Sequence, residues 1–129
     1  MIEFHRLCNN CIYVDQSNII VSKQPLYTSH VGTCSVLLFS FKKLNFMAHI
    51  DAIQNNSDEI VKKIKKYFNI EDLKKTKIYI IKGAWCHNKC PTTNIIMKSL
   101  KTLNLNFIIY EKKINWNNEI HINNTINII

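Results

Sequence analysis

The run Val36-Leu37-Leu38-Phe39-Ser40-Phe41, followed by Lys42-Lys43 and by Leu44-Asn45-Phe46-Met47-Ala48-His49-Ile50, constrains this chain more than any other stretch. Two short apolar segments joined by two polar residues predict a β-hairpin. If the loop is even and centred on Lys42-Lys43, Val36 lies opposite His49 and Cys34 opposite Asp51, because antiparallel partners sum to a constant. All four side chains then share one face, whereas an odd loop would place Cys34 and His49 on opposite faces. The other face carries Leu37, Phe39 and Phe41 with Leu44, Phe46, Ala48 and Ile50, a core-facing surface. Directly opposed Cβ atoms are about 4.5 to 5.5 Å apart and diagonal ones somewhat further, so the His49 imidazole can reach the Cys34 sulfur.

The remaining elements follow from similar signals. Turn residues at Asn9-Asn10 and at Asp15-Gln16-Ser17-Asn18 break Phe4 to Val21 into two or three short strands. Pro25 precedes an extended approach, Leu26 to Val31, with Gly32 allowing a tight backbone just before Cys34. Asn56 and Ser57 offer N-caps to a helix whose Ile60, Val61, Ile64 and Phe68 recur at helical spacing. Ile78 to Ile81 predicts a buried strand ended by Gly83-Ala84. Pro91 suits the first position of a second helix, with Ile95, Ile96, Leu100 and Leu103 as its stripe. Leu105 to Tyr110 reads as a further strand. Glu119 to Ile122 and Thr125 to Ile129 flank Asn123-Asn124, which predicts a two-residue hairpin turn. The fold class is α/β or α+β, a layered single domain over residues 1–129 with a mixed, largely antiparallel sheet and two main helices.

Composition narrows the function classes. The net charge of +8 resides almost wholly in lysine, with Arg6 the one arginine. Phosphate and base readout favours arginine forks, so nucleic acid is not favoured as a partner. Lys62, Lys63, Lys65, Lys66, Lys74, Lys75 and Lys77 instead suggest a solvated helix face. Without an N-terminal leader pattern or a run of about 18 apolar residues, a cytoplasmic protein with no membrane association is expected. Five cysteines, an odd number, do not suggest a secreted disulfide framework, and reduced thiols are expected.

A cysteine acts as a nucleophile only as its thiolate, which requires a base, and acyl chemistry further requires donors for an oxyanion. His49 is the candidate base, the backbone around Gly32 and Thr33 offers amide donors, and Asp51 is placed to orient His49 or to cap the strand end. Thr28 lies six residues before Cys34 and can add a hydroxyl. Against this stands a plain packing role, common for a Cys and a His on adjacent strands.

The segment Tyr27-Thr28-Ser29-His30-Val31-Gly32-Thr33-Cys34-Ser35, followed by Met47-Ala48-His49, resembles the Thr…Gly-(Ser/Thr)-Cys and Met-Ala-His motifs of the bacterial chemoreceptor glutamine deamidases, CheD. It is also similar to the eukaryotic protein N-terminal asparagine amidohydrolases. In those a Thr-Cys strand is followed by Thr-His-Cys-Asp, a helix, a Gly-ended strand and another helix; here His49-Ile50-Asp51 stands for the His-x-Asp. The resemblance implies a CheD-like layered fold and hydrolysis of a protein Asn (N-terminal) or Gln carboxamide to carboxylate and ammonia through a thioester. Cys34 would attack, His49 would shuttle the proton and Thr28 would complete the triad, with Gly32, Thr33 and Asp51 contacting substrate or oxyanion. The implied partner is a protein or peptide bearing Asn or Gln, and no cofactor is expected. The alternative is a catalytically inactive CheD-like binding module of the same fold, with zinc as a candidate stabiliser. A poised Cys34 thiolate should react with iodoacetamide well below the usual thiol range, about pH 8.5.

A second constellation is Cys8-Asn9-Asn10-Cys11 with Cys86-His87-Asn88-Lys89-Cys90. Paired cysteines at these spacings can bind zinc, with His5 or His87 substituting as a ligand. Packing or a redox-labile pair is preferred, and no metal is expected. His30 near Cys34 reads as an exposed residue at the pocket mouth or as an alternative base. His121, Trp85 and Trp116 read as packing or cleft residues.

Overall fold

The computed structural model describes Cys8, residues 10–86 and residues 89–129. Along the chain run β1 (Ile12–Tyr13), β2 (Ile19–Ser22), β3 (Leu26–Ser29), β4 (Ser35–Phe41), β5 (Leu44–Ile50), α1 (Ser57–Tyr67), α2 (Ile70–Leu73), β6 (Tyr79–Lys82), α3 (Pro91–Thr102), β7 (Ile108–Ile109), β8 (Glu119–Asn123) and β9 (Thr125–Ile128). The fold is α+β, with mostly antiparallel strands. These divide between two sheets, a five-stranded one ordered β2-β5-β4-β6-β7 and a four-stranded one ordered β1-β3-β8-β9.

The β4–β5 hairpin lies at the centre of the larger sheet, and its register pairs Val36 with His49 and Phe41 with Leu44. The loop is therefore the even one, Lys42-Lys43. Both lysines have positive φ, 48° and 67°, as a type I′ turn requires to match the twist of its strands. One hairpin face packs Leu37, Phe39, Phe46, Ala48 and Ile50 against Ile60 and Ile64 of α1 and Ile96 and Leu100 of α3. The opposite face, with Cys34, Val36, Leu38 and Met47, packs on Leu26, Ile120 and Ile122 of the smaller sheet. Layers therefore run helices, larger sheet, smaller sheet. A hairpin covered on both faces explains why its apolar run is continuous rather than alternating.

Helix α1 starts with a capping box: the Asn56 side chain accepts from Glu59 N–H at 3.1 Å, and the Glu59 carboxylate accepts from Asn56 N–H at 2.8 Å. Lys62, Lys65, Lys66, Lys74, Lys75 and Lys77 are exposed, which suits the solvated-face reading. Helix α3 begins with Pro91 at its first turn and connects β6 to its parallel neighbour β7. The strand expected over Leu105 to Tyr110 contracts to Ile108–Ile109.

The C-terminal hairpin corrects the expected two-residue turn. Asn123 pairs with Thr125 and Ile122 with Ile126, so the loop is odd and centred on Asn124, whose φ is 66°. This register sets Ile126 and Ile128 beside Ile122 and Ile120, all four facing the core between the sheets. The shifted register would have paired Ile122 with Thr125 and turned Ile126 and Ile128 apart. Burial of a shared isoleucine face outweighs the turn preference.

Candidate active site

Thr28, His49 and Cys34 come from three segments that the two sheets bring face to face. Thr28 is on β3 of the smaller sheet, fully buried, and its register partner is Ile120. His49 is on β5 of the larger sheet and only 2% exposed. Its own backbone is held on both sides, His49 N–H donating to Asn18 O at 3.0 Å and His49 O accepting from Ser17 N–H at 2.8 Å. Cys34 immediately precedes β4, diagonal to His49 on the shared face, and is 7% exposed.

The hydrogen bonds define the imidazole's tautomer. Thr28 Oγ1 lies 2.7 Å from Val14 O and 2.7 Å from His49 Nδ1. A hydroxyl has a single hydrogen, and a carbonyl can only accept, so Thr28 donates to Val14 O and accepts from His49 Nδ1–H. The proton therefore sits on Nδ1 and leaves Nε2 as a lone-pair acceptor. His49 Nε2 is buried and has no hydrogen-bond partner among the described residues. Burial lowers the His49 pKa, against the smaller opposing influence of Asp15 and Asp51. Burial, reinforced by the charge of Asp51, pushes the Cys34 thiol up to about 11. Both shifts favour the neutral forms, thiol and imidazole, because the second sheet removes water from the Cys/His face.

The approach to Cys34 is tied to the loop after β6. Gly83 N–H donates to Cys34 O at 3.0 Å, Ala84 N–H to Val31 O at 2.7 Å and Trp85 N–H to Gly32 O at 3.1 Å. Thr92 Oγ1 at the start of α3 donates to Thr33 O at 3.0 Å. Because a trans peptide directs its C=O and N–H oppositely, the amides of Gly32, Thr33 and Cys34 point away from this loop. The site therefore has amides free of that tether. Gly32 is needed for close approach rather than for a left-handed backbone. A Cβ there would lie 2.6 Å from the Trp85 ring, and the positive φ of this approach, 54°, belongs to His30. Gly83 is tighter still, with a Cβ 2.1 Å from Gly32 O and 2.4 Å from Cys34 O.

Asp51 and His30 occupy other roles. Asp51 accepts from Ile53 N–H at 2.6 Å and from the Gln16 side-chain amide, and the Ile53 bond is the main reason its carboxyl is held below the usual range. It caps the end of β5 and acts on Cys34 and His49 through its charge. His30 is exposed and packs at a tilt against Trp116, ring centroids 4.9 Å apart, while Trp116 stacks on Trp85 at 4.8 Å. These two half-exposed indoles roof Gly32. A groove of about 580 Å³ lies at the far end of the sheets, around Phe39, Tyr79, Ile122 and Ile126, and includes none of the three site residues.

Several participants carry no signal in the sequence. Val14 contributes only a carbonyl, which no residue type announces. Ser35 is buried between Thr92 Oγ1 at 2.8 Å, Thr93 Oγ1 at 2.9 Å and Cys90 Sγ at 3.5 Å, and so anchors the Cys34 segment to α3. Cys8–Cys11 and Cys86–Cys90 are joined as disulfides with Cα atoms 5.4 and 5.3 Å apart, where reduced thiols were the expectation. Cys11 immediately precedes β1, and Cys90 is the N-cap residue of α3. The two pairs lie apart, Cys8 against His121 and Cys86 and Cys90 against Ser35, so they do not form one four-cysteine site. His5 and His87, the alternative ligands, lie outside the described residues.

No protein-family model matches the chain, and a search of curated proteins yields no match. No helix among the described residues is long and apolar enough to cross a membrane.

Proposed function

We propose that the protein is a cysteine-dependent amidohydrolase that converts the carboxamide of a protein Asn, at a chain N-terminus, or of Gln to a carboxylate and ammonia. The observation that carries this reading is the unpartnered Nε2 of a buried histidine whose Nδ1 is anchored by Thr28, on the same hairpin face as Cys34. A structural histidine in a core ordinarily has both ring nitrogens satisfied, because an orphaned buried acceptor costs about 1–3 kcal/mol. An open lone pair on the strand face that also carries a thiol suits a general base.

With both groups neutral at rest, proton transfer accompanies attack. Cys34 Sγ bonds to the amide carbon while its proton passes to His49 Nε2, and the resulting imidazolium is stabilised by Nδ1–H donation to Thr28. Amides of the 32–34 segment stabilise the oxyanion. The imidazolium then gives its proton to the departing ammonia, and water, deprotonated by the same nitrogen, hydrolyses the thioester. Resemblance to the deamidases and to the N-terminal asparagine amidohydrolases supports the same residues in the same roles. Cytoplasmic location and a protein or peptide substrate belong to this reading.

The second reading is a binding module of the same fold without turnover. It is favoured by the low exposure of Cys34, 7%, and by its thiol being pushed up to about 11. Ammonia release from an Asn-initiated peptide, compared with its Gln-initiated and N-acetylated forms, separates the two. Release that Cys34→Ala abolishes supports the enzyme. Release undiminished in that variant would falsify the role of Cys34, and none from any peptide favours the binding module.

A further inference from the structure

We infer that Cys8, Cys11 and His121 form a site for a divalent thiolate-binding cation, of which zinc is the natural class, separate from the Thr28–His49–Cys34 centre. Their Sγ, Sγ and Nδ1 atoms all lie within 4.8 Å of one another. Cys8 Sγ is 3.5 Å from His121 Nδ1. Zinc–sulfur bonds of about 2.3 Å and zinc–nitrogen bonds of about 2.0–2.1 Å at tetrahedral angles separate the two ligand atoms by about 3.5 Å.

The environment of His121 is an independent argument. On β8, Glu119 and His121 project to the same side, and His121 Nε2 donates to the Glu119 carboxylate at 2.9 Å. That bond places the ring proton on Nε2 and turns the Nδ1 lone pair towards the sulfurs, the arrangement in which a carboxylate orients a metal-ligating histidine. The ring is buried and stacked on Tyr27 at 5.1 Å, so its position is set before any cation arrives. Asn10, with φ of 62°, makes the tight bend that turns Cys8 and Cys11 to the same side.

The disulfide between Cys8 and Cys11 excludes the metal, so the site is available only in the reduced chain. A thiol reductant converts the bond to two thiols and is itself oxidised to its disulfide; the cation then displaces both thiol protons. Three protein ligands leave a fourth position for water. The cation clamps the segment before β1 onto β8, which with β3 carries the Thr28 end of the smaller sheet.

The full chain, reduced with a thiol reductant and freed of it without air, is titrated with zinc and in parallel with cobalt(II). The expected result is about one equivalent of cation per chain, with a thiolate-to-cobalt charge-transfer absorption. Cys8→Ser and Cys11→Ser should lose that absorption, His121→Gln should weaken binding at least tenfold, and the Cys86→Ser/Cys90→Ser double variant should bind as the parent does. Glu119→Gln, which touches no ligand atom directly, should weaken binding about 10- to 100-fold with the far-ultraviolet circular dichroism unchanged. Absence of stoichiometric uptake overturns the site. So does uptake that survives Cys8→Ser, uptake lost with Cys86 and Cys90, or an affinity indifferent to Glu119→Gln.

Discussion

Thr28 Oγ1 sits 2.7 Å from His49 Nδ1 and 2.7 Å from Val14 O, so one hydroxyl links the two sheets and sets the imidazole's tautomer. Without the hydroxyl, the ring can turn and its proton can move to the nitrogen that should act as base. Thr28→Val should lower kcat for ammonia release by about 10²-fold, within the range of general-base catalysis. Thr28→Ser should restore most of it. The Val variant should also lose about 1–3 kcal/mol of stability, because Val14 O keeps its burial and loses its donor. Equal rates for the two variants would remove Thr28 from the mechanism.

Stability should fall on acidification because of His49. Its folded pKa is depressed by burial, so below the unfolded value of about 6.5 the unfolded chain takes up a proton that the native chain resists. The loss begins near that value and continues as pH falls towards the folded pKa. Urea midpoints measured from pH 7 downwards should show it, and His49→Gln should flatten that slope.

The alkaline limb has the opposite sign. The native Cys34 thiol keeps its proton to about 11, whereas the unfolded thiol ionises near 9. Stability is therefore present below about pH 9 and declines as pH rises towards 11. Cys34→Ala should remove this decline. Iodoacetamide should alkylate Cys34 slowly at neutral pH and faster as pH approaches 11. Rapid alkylation at neutral pH would show that His49 already holds the thiol proton.

Gly83 permits the Cys34 approach to lie against the β6 loop. A methyl group there would meet Gly32 O at 2.1 Å and Cys34 O at 2.4 Å, both backbone atoms that cannot rotate away. Gly83→Ala should cost at least about 1–3 kcal/mol in urea unfolding and should reduce ammonia release more than stability loss alone explains. A neutral effect on both would mean that the tether has slack.

Lys42 and Lys43 hold left-handed backbone at φ of 48° and 67° without the residues that favour it. Replacing them with Asn-Gly should stabilise the protein by about 1 kcal/mol and leave activity unaltered. A single residue inserted between them should instead destroy both, since changing the loop parity turns His49 away from the Cys34 face.

The hairpin and, for an even loop, its two faces were legible from residues 34 to 51 alone, because the period-two placement of side chains and a two-residue polar turn are local properties; the pairing itself settled the parity. Helices α1 and α3 were legible for the same reason: caps, Pro91 and apolar spacing act within a few turns. What residue pattern left open were matters of distance between segments far apart in the chain. Thr28 and His49 could be suspected together, but their bond, and the Val14 carbonyl behind it, exist only because β3 packs on β5 across two sheets. The same packing dries the Cys/His face and favours the neutral thiol and imidazole. It also sets the odd C-terminal loop, where four isoleucines sought one core face. Local sequence determined which side chains share a strand face; tertiary burial decided their protonation, their partners and the register that turn preference had misjudged.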